Sequence, residues 1–508
     1  MKLLKKNILF IIIIMQPILD VIAYFSLNTK YSMIAFFIRS LILAISTLYV
    51  LFVKKEKYYY LFIYLIMMYS MMHFVNLYFS ETISIVEDLK EFVRVFYMPI
   101  LAVNGYYIFK NNSNTVEQIK KGIICNTFMI FIIIILGIIT NTTVYTYAEK
   151  IGLRGWFYNS NSQSIILCFC VPVMLFYLFK MKKKLWKIVS VCVGYFLLFT
   201  NGTTGCYLMI VPAFSLILLD TLVSNMKKKS KVLQCVFLIA VISSSFFLHK
   251  YSPDYKISVI AGNSYQETQK ELDEMKENEK PSVDNSELNN DKSDVDNSES
   301  NNDKSHANNS EPNNDKSDVD NTESNNSIID NSCKDVECGL IDYYFDERFV
   351  QDYGYDVIKK HIGDNFDVEH LVNNRYRKKL VAKVMFNESG VVTKILGFGF
   401  SNIKKYDVDL ESDYSAIMYY FGYLGLLVYV LVIIYAFYIL IKKFIQNPKI
   451  IFNMEYILFF SMLIMFNLFA EVSGSLLKRP NVSIYVALLL IIIMIKDREK
   501  EYAKKSSK

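Results

Sequence analysis

Several familiar signatures are missing from this sequence of 508 residues. It lacks the alternating ten-residue segments of a membrane β-barrel and therefore does not predict a barrel. Of its eight cysteines, only Cys333 and Cys338 lie outside the apolar runs, and no His accompanies them. Two Cys alone do not make a zinc site, although they could form a local disulfide in an oxidising compartment. No small-residue cleavage site follows the first apolar run, so a retained helix is predicted rather than a signal peptide.

The sequence is rich in long apolar runs. Hydrophobic residues make up 53% of the chain and aromatic residues 15%. The apolar runs have about 18 to 25 residues, which suits helices that cross roughly 30 Å of hydrocarbon. Because helices satisfy their own backbone in lipid, the sequence predicts an all-α polytopic membrane protein. The twelve predicted spans are residues 7–28, 33–53, 58–80, 91–109, 120–141, 161–180, 184–200, 204–223, 231–249, 415–441, 453–474 and 480–496.

The lysines of the short connections predict the orientation of these spans. They are concentrated on one side, which is therefore predicted to be cytoplasmic, with both termini inside and the long polar segment outside. The formal net charge of +6 then reflects topology and contact with anionic headgroups, and it does not indicate a nucleic-acid partner. The lysines on this side include Lys2, Lys5, Lys6, Lys54, Lys55, Lys120, Lys121, Lys182, Lys183, Lys184, Lys227, Lys228, Lys229, Lys442 and Lys443.

Changes in composition divide the chain into four predicted parts. Residues 1–249 form a membrane bundle of about nine helices, and residues 250–339 form a disordered acidic segment. Residues 340–414 regain apolar and aromatic residues at helical spacing and predict a small helical subdomain on the outer membrane surface. Residues 415–508 supply about three further membrane helices and a cytoplasmic tail.

The acidic segment contains three copies of a twelve-residue unit that begins with Asn-Asn-Asp-Lys-Ser, at residues 289–300, 301–312 and 313–324. Twelve acids and three lysines between residues 281 and 327 give 3 − 12 = −9. The repeat could be a calcium-binding segment or a solvated spacer. Because the glycine turns of ordered calcium loops are absent, the spacer is favoured.

A first candidate motif precedes the sixth span. Arg154 and Gly155 are followed by aromatic residues and then by Asn159 and Asn161. A polar cap at a helix N-terminus, together with a nearby Arg, favours an anion. An ordinary cap with an interfacial Arg explains the pattern equally well.

A second set of candidates closes the long polar segment. Arg375 and Arg377 offer planar groups that match phosphate oxygens. Gly397 and Gly399 permit a close backbone approach. The plain alternatives are a solvated basic helix face and a simple flexible turn. A nucleotide-binding loop is not predicted, since this segment is expected to lie outside the cell.

Acids and one further arginine complete the candidates. Glu411 and Asp413 stand just before the tenth span, where they could cap the helix or activate a sugar hydroxyl as a general base. Asp20 in the first span and Arg94 in the fourth are charged groups at membrane depth. Such groups are candidates for function or partners of each other.

Taken together, these pieces resemble the O-antigen ligase and Wzy-type polysaccharide polymerase superfamily of bacterial envelope enzymes. The resemblance covers nearly the whole chain and lies in the order of the motifs: Arg154 to Asn161, then Arg375, then Gly397 and Gly399. Next come Glu411 with Asp413, and then Gly422 with Gly425 in the following span. The chain departs from the family pattern at Ser160, where Pro is usual, and in having Glu-x-Asp where the ligase branch has His.

The resemblance implies a GT-C-like bundle in a bacterial plasma membrane and a metal-independent, inverting glycosyl transfer without a cofactor. The donor would be a glycan on undecaprenyl diphosphate, and the acceptor would be a second lipid-linked unit. Arg154 and Arg375 would stabilise the leaving diphosphate, and Glu411 or Asp413 would activate the acceptor. Asn159, Asn161, Arg377, Gly397, Gly399, Arg94 and Asp20 are the further substrate-binding candidates.

Three functions remain open from the sequence. A polymerase is favoured over a ligase because the ligase-type His is missing. A lipid-linked oligosaccharide flippase would need no large folded outer loop and usually shows related halves, which this chain lacks. Expected partners are the lipid-linked donor and acceptor, the bilayer and other polysaccharide assembly proteins.

Overall fold

The computed structural model describes residues 2–80, 82–147, 149–224, 227–263, 270, 336–363, 373–474 and 476–506. Helices dominate these residues and confirm the prediction of an all-α polytopic membrane protein. The acidic repeats and Cys333 lie outside the described residues, whereas Cys338 is disulfide-bonded. The membrane helices are α1 (Lys2–Phe25), α2 (Ile34–Tyr49), α3 (Lys57–Phe79), α4 (Ile85–Phe109), α5 (Thr115–Ile139), α6 (Ser160–Phe179), α7 (Lys184–Thr200), α8 (Thr204–Val223), α9 (Lys228–Phe247), α16 (Asp413–Gln446), α17 (Met454–Val472) and α18 (Pro480–Ser506).

Each of the twelve predicted spans coincides with one of these helices. Among the described residues, ten helices are long and apolar enough to cross a membrane. The other two are shorter: α7 has 17 residues, and the apolar part of α18 is Pro480–Lys496. That part of α18 is buried on nearly every side and packs mainly against α4. A helix enclosed by other helices needs no face for lipid, which explains its uninterrupted apolar sequence.

A β-hairpin in the connection before α6 was not predicted. Strand β1 (Val144–Tyr147) pairs antiparallel with β2 (Ile151–Gly155), with Tyr145 opposite Leu153. The segment Val-Tyr-Thr-Tyr consists of β-branched and aromatic residues, which favour a strand. Thr146 Oγ1 donates a hydrogen bond to the backbone oxygen of Asn201 and ties the hairpin to the end of α7.

The stretch before α16 folds into short helices, α10 (Val336–Tyr344), α11 (Glu347–Tyr353), α12 (Tyr355–Ile362), α13 (Asn374–Glu388), α14 (Val391–Leu396) and α15 (Phe400–Lys404). Phe349 and Ile358 are fully buried in this unit. Burial opposes ionisation of Asp352, but hydrogen bonds from Lys405 and Tyr406 hold its pKa below the usual range. We call the side of the membrane on which this unit lies the loop face.

Candidate functional site

A polar cavity of about 340 Å³ opens between α1, α2, α4 and the residues that precede α6 and α18. It lies toward the loop face, because it includes the first residues of α6 and α18. Its lining combines four cations with three acids, an unusual density of charge between membrane helices. These side chains are Arg39, Arg94, Lys478 and Arg479, with Asp20, Glu91 and Asp409. We refer to this space as the charged cavity.

Asp20 meets Arg39 across the gap between α1 and α2. Nη2 of Arg39 lies 2.7 Å from Oδ1 of Asp20, and its Nε donates to Oε1 of Gln16 at 3.0 Å. Both charged residues are less than a tenth exposed. The sequence singled out Asp20 but not its partner, which lies on the next helix.

Replacing Arg39 with Met is expected to lower the free energy of unfolding by about 3 kcal/mol, because Asp20 would stay buried without a cation. The thermal midpoint of the purified protein in detergent measures this loss. A double variant, Arg39→Met with Asp20→Asn, is expected to recover most of it. An Arg39→Met protein as stable as the parent would contradict the pairing.

Glu91 and Arg94 lie one turn apart on α4 and both face the charged cavity. Their closest atoms, Oε2 of Glu91 and Nη1 of Arg94, are 3.2 Å apart. Glu91 is 5% exposed, whereas the side chain of Arg94 is 35% exposed and lies over the ring of Phe36. The carboxylate therefore lies deeper than the guanidinium, which remains available to an incoming anion.

Lys478 is held in the cavity wall by the segment between α17 and α18. Its ammonium group lies 3.1 Å from Oδ1 of Asp409 and also donates to the backbone oxygen of Leu410. The buried carboxylate of Asp413 organises the same segment, since its Oδ2 accepts the N–H groups of Leu476 and Leu477 at 2.8 Å each. Asp413 therefore holds the backbone that leads directly into Lys478.

Asn159 contributes to both the cavity and the start of α6. Its Oδ1 accepts the N–H of Ser162 at 2.8 Å, which is an N-cap, and the residue also lines the charged cavity. Gln163 lines the cavity one turn later and donates from Nε2 to the backbone oxygen of Arg154. Asn161 lies in the first turn of α6, outside the cavity lining.

Arg375 and Glu411 form a second charged group at the loop face. They form an ion pair, and Nη1 of Arg375 donates to the backbone oxygen of Val472 at 2.9 Å. Lys378 also approaches Glu411, at 3.4 Å. The side chain of Arg375 is half exposed. Glu411 therefore already pairs with two cations.

The β-hairpin carries Arg154 and lies near this second charged group. Arg154 lies on β2. Tyr147 on β1 lies close enough to Arg375 for an electrostatic interaction between them. Burial and the nearby Asp254 raise the pKa of Tyr147, whereas Arg375 opposes that rise. Arg154 and Tyr147 therefore lie on paired strands of one hairpin, and neither Arg154 nor Arg375 lines the charged cavity.

Arg377 belongs to the loop unit rather than to either charged group. Its guanidinium lies 5.1 Å from the centre of the Tyr344 ring, and Nη1 donates to the backbone oxygen of that residue. Burial lowers the pKa of Arg377. Its contacts join α13 to α10.

Gly397 and Gly399 pack against a break in α16. Gly422 has φ of 70° and ψ of 179° inside that helix, which leaves preceding carbonyl groups without helical partners. Two N–H groups of the loop replace them: Phe398 donates to Tyr419 and Gly399 to Tyr420, at 3.2 and 3.0 Å. We call this contact the glycine seam. Its geometry explains both loop glycines structurally.

The sequence predicted Asp20, Arg94 and Asn159, which line the charged cavity, but it missed most of its charges. Arg39 and Glu91 both lie within or at the edge of a predicted apolar span, and that was the available signal. Lys478 and Arg479 lie in the short connection between the last two predicted spans, where the sequence does not distinguish them from ordinary loop cations. Among the described residues, no group of three or more His, Cys, Asp or Glu side chains could hold a metal ion.

Comparison with known families agrees with this architecture. The family model of O-antigen ligase like membrane proteins matches residues 2–500. The chain belongs to this family. No curated protein and no solved structure matches it. This O-antigen ligase-like protein is therefore a multi-pass membrane enzyme of polysaccharide assembly. The chemistry of the family is glycosyl transfer.

Proposed function

We propose that this protein is a polysaccharide polymerase that joins oligosaccharide units carried on undecaprenyl diphosphate. The supporting observation is the charged cavity, in which four cationic side chains surround a space at the loop face. A diphosphate that leaves a sugar carries developing negative charge, which fixed cations stabilise. We further propose that the loop face is extracytoplasmic and both termini are cytoplasmic, in a bacterial plasma membrane.

Glu91 is the carboxylate in the cavity best placed to act as the base. Asp20 is already held by Arg39 at 2.7 Å, and the side chain of Asp409 is 64% exposed beside Lys478. Glu91 is buried, lines the cavity and has a longer contact to Arg94. A carboxylate with a short charge-assisted hydrogen bond is a weaker proton acceptor, which favours Glu91.

The proposed reaction is a single inverting displacement. The acceptor hydroxyl attacks the anomeric carbon of the donor sugar and transfers its proton to Glu91. The bond from that carbon to the diphosphate oxygen breaks, and the electron pair leaves with the lipid diphosphate. Arg94, Lys478 and Arg479 are the cations proposed to stabilise that leaving group.

Arg154 and Arg375 have a proposed role in binding the lipid-linked substrate at the loop face, since neither lines the charged cavity. Alanine at either position is expected to reduce polymer formation by about tenfold or more, since each is a charged donor at the loop face. Polymer length and amount in cells that carry the variants measure this effect. Arg348→Ala is a suitable control, because Arg348 pairs with Asp346 on the exposed loop surface. If both variants still assemble full-length polymer, the role assigned to these arginines is wrong.

The intermediates that accumulate when the gene is deleted test the function itself. Single lipid-linked repeat units at the outer face are expected for a polymerase. Long polymer that remains on its lipid would indicate a ligase, the main alternative. Units trapped at the inner face would indicate a flippase and would overturn the proposed reaction.

A further inference from the structure

A second polar pocket lies at the membrane face opposite the loop. It encloses about 690 Å³ between the end of α6, the start of α7, the end of α8 and the starts of α9 and α17. Four lysines and one acid contribute to its lining: Lys180, Lys182, Lys184, Lys187 and Asp220. Their formal charges sum to 4 − 1 = +3. We refer to this space as the basic pocket.

The acid neutralises only a part of this charge. Nζ of Lys180 lies 3.2 Å from Oδ1 of Asp220 and 3.8 Å from the centre of the Phe176 ring. Lys187 extends over Phe179, 5.0 Å from the ring centre. Lys182 and Lys184 are exposed. The pocket therefore offers several cations at different depths to one anionic group.

Apolar side chains line the remainder of the basic pocket. Val223 is 52% exposed and Phe452 is 67% exposed. Phe179 and Met454 form a buried part of the lining. A small inorganic anion would leave these apolar groups uncovered, whereas an amphipathic molecule would contact both parts.

We propose that the basic pocket binds the phosphate headgroup of an anionic phospholipid from the leaflet at this face. Lysine binds phosphate as a compact point charge, and basic pockets between membrane helices are suited to anionic headgroups. The acyl chains would pass along Val223 and Phe452. The inference is independent of the proposed polymerase reaction and of which face is cytoplasmic.

The plain alternative is a general attraction between surface lysines and the membrane. The chain provides its own control for it, because Lys227, Lys228 and Lys229 lie on the same face without lining the basic pocket. If general membrane attraction were responsible, removing either lysine group would weaken lipid binding equally. Binding of a lipid in the basic pocket would be weakened only by the loss of the pocket lysines.

The test compares two triple variants of the full-length protein. Lys182, Lys184 and Lys187 are changed to Gln in one variant, and Lys227, Lys228 and Lys229 in the other. Each protein is purified in mild detergent and titrated with phosphatidylglycerol, with phosphatidylcholine or with inorganic phosphate. The retained lipid is counted by native mass spectrometry, and the thermal midpoint is recorded.

Phosphatidylglycerol is expected to bind the parent and the Lys227–Lys229 variant alike. Each pocket lysine removed is expected to weaken binding by roughly fivefold. Asp220→Asn removes the opposing charge and should increase retention, an effect that misfolding does not mimic. Equal losses in both triple variants, an equal shift with inorganic phosphate, or unchanged retention in the pocket variant would each overturn the proposal.

Discussion

Replacing Glu91 with Gln is expected to slow polymer formation by about two to four orders of magnitude, the usual contribution of a general base. Gln retains the size of the side chain and can still hydrogen-bond to Arg94, so the fold should survive. It cannot accept the proton of the acceptor hydroxyl. The expected signature in a reconstituted assay with lipid-linked units is a large fall in kcat with little change in KM.

Two further substitutions separate this role from a structural one. Glu87→Gln changes an acid one turn earlier on α4, where the side chain is 36% exposed and pairs with Lys404 at 2.9 Å. It should leave the rate nearly unchanged. Glu91→Asp retains a base at a greater distance and should restore a part of the activity. If Glu91→Gln polymerises at the parental rate, while Glu411→Gln does not, the base is Glu411, as the sequence motif suggested.

The membrane architecture could be predicted because it depends on local properties of the chain. An apolar run of about 20 residues bounded by lysines predicts a span wherever it occurs. Even α7 and the apolar part of α18, the two short helices, coincide with predicted spans. The hairpin was missed because its strands have only four and five residues, in a connection whose clearest sequence feature is the cap of the next helix.

The charged cavity could be predicted only in part, since it depends on packing between distant segments. Asp20 stood out as a charge at membrane depth, but nothing local identifies Arg39 as its partner. Lys478 enters the wall because Asp413, more than sixty residues earlier, accepts the N–H groups of Leu476 and Leu477. The sequence motif identifies Asp413, but the contacts of its carboxylate are with the backbone that precedes Lys478.

The two glycines of the loop motif illustrate the same limit. The sequence indicated only that backbone could approach something closely at Gly397 and Gly399. The structure identifies two further helices beside that contact. Asn76 on α3 donates to the backbone oxygen of Gly397, and Ser401, two residues after Gly399, donates to Asp88 on α4. Together with the glycine seam, these hydrogen bonds fix the loop unit to α3, α4 and α16.

Substitutions in the glycine seam are expected to destabilise the fold strongly. Gly397→Ala is expected to lower the free energy of unfolding by more than about 3 kcal/mol. Gly397 has φ of 90° and ψ of 157°, which favours glycine, and an added Cβ would lie 2.1 Å from the backbone oxygen of Tyr420. Gly422→Ala should be comparably damaging, since its Cβ would lie 2.2 Å from the backbone oxygen of Ile395.

Gly390→Ala provides the matched control, because this loop glycine has φ of −67° and open space around its Cβ position. The yield of monodisperse protein in detergent and its thermal midpoint should fall for Gly397→Ala and remain parental for Gly390→Ala. A Gly397→Ala protein of parental stability that fails to form polymer would show that this glycine serves the substrate instead. Joint loss of stability and activity is expected if the loop must dock on the broken helix before Asp413 can position Leu476 and Leu477, which lead into Lys478.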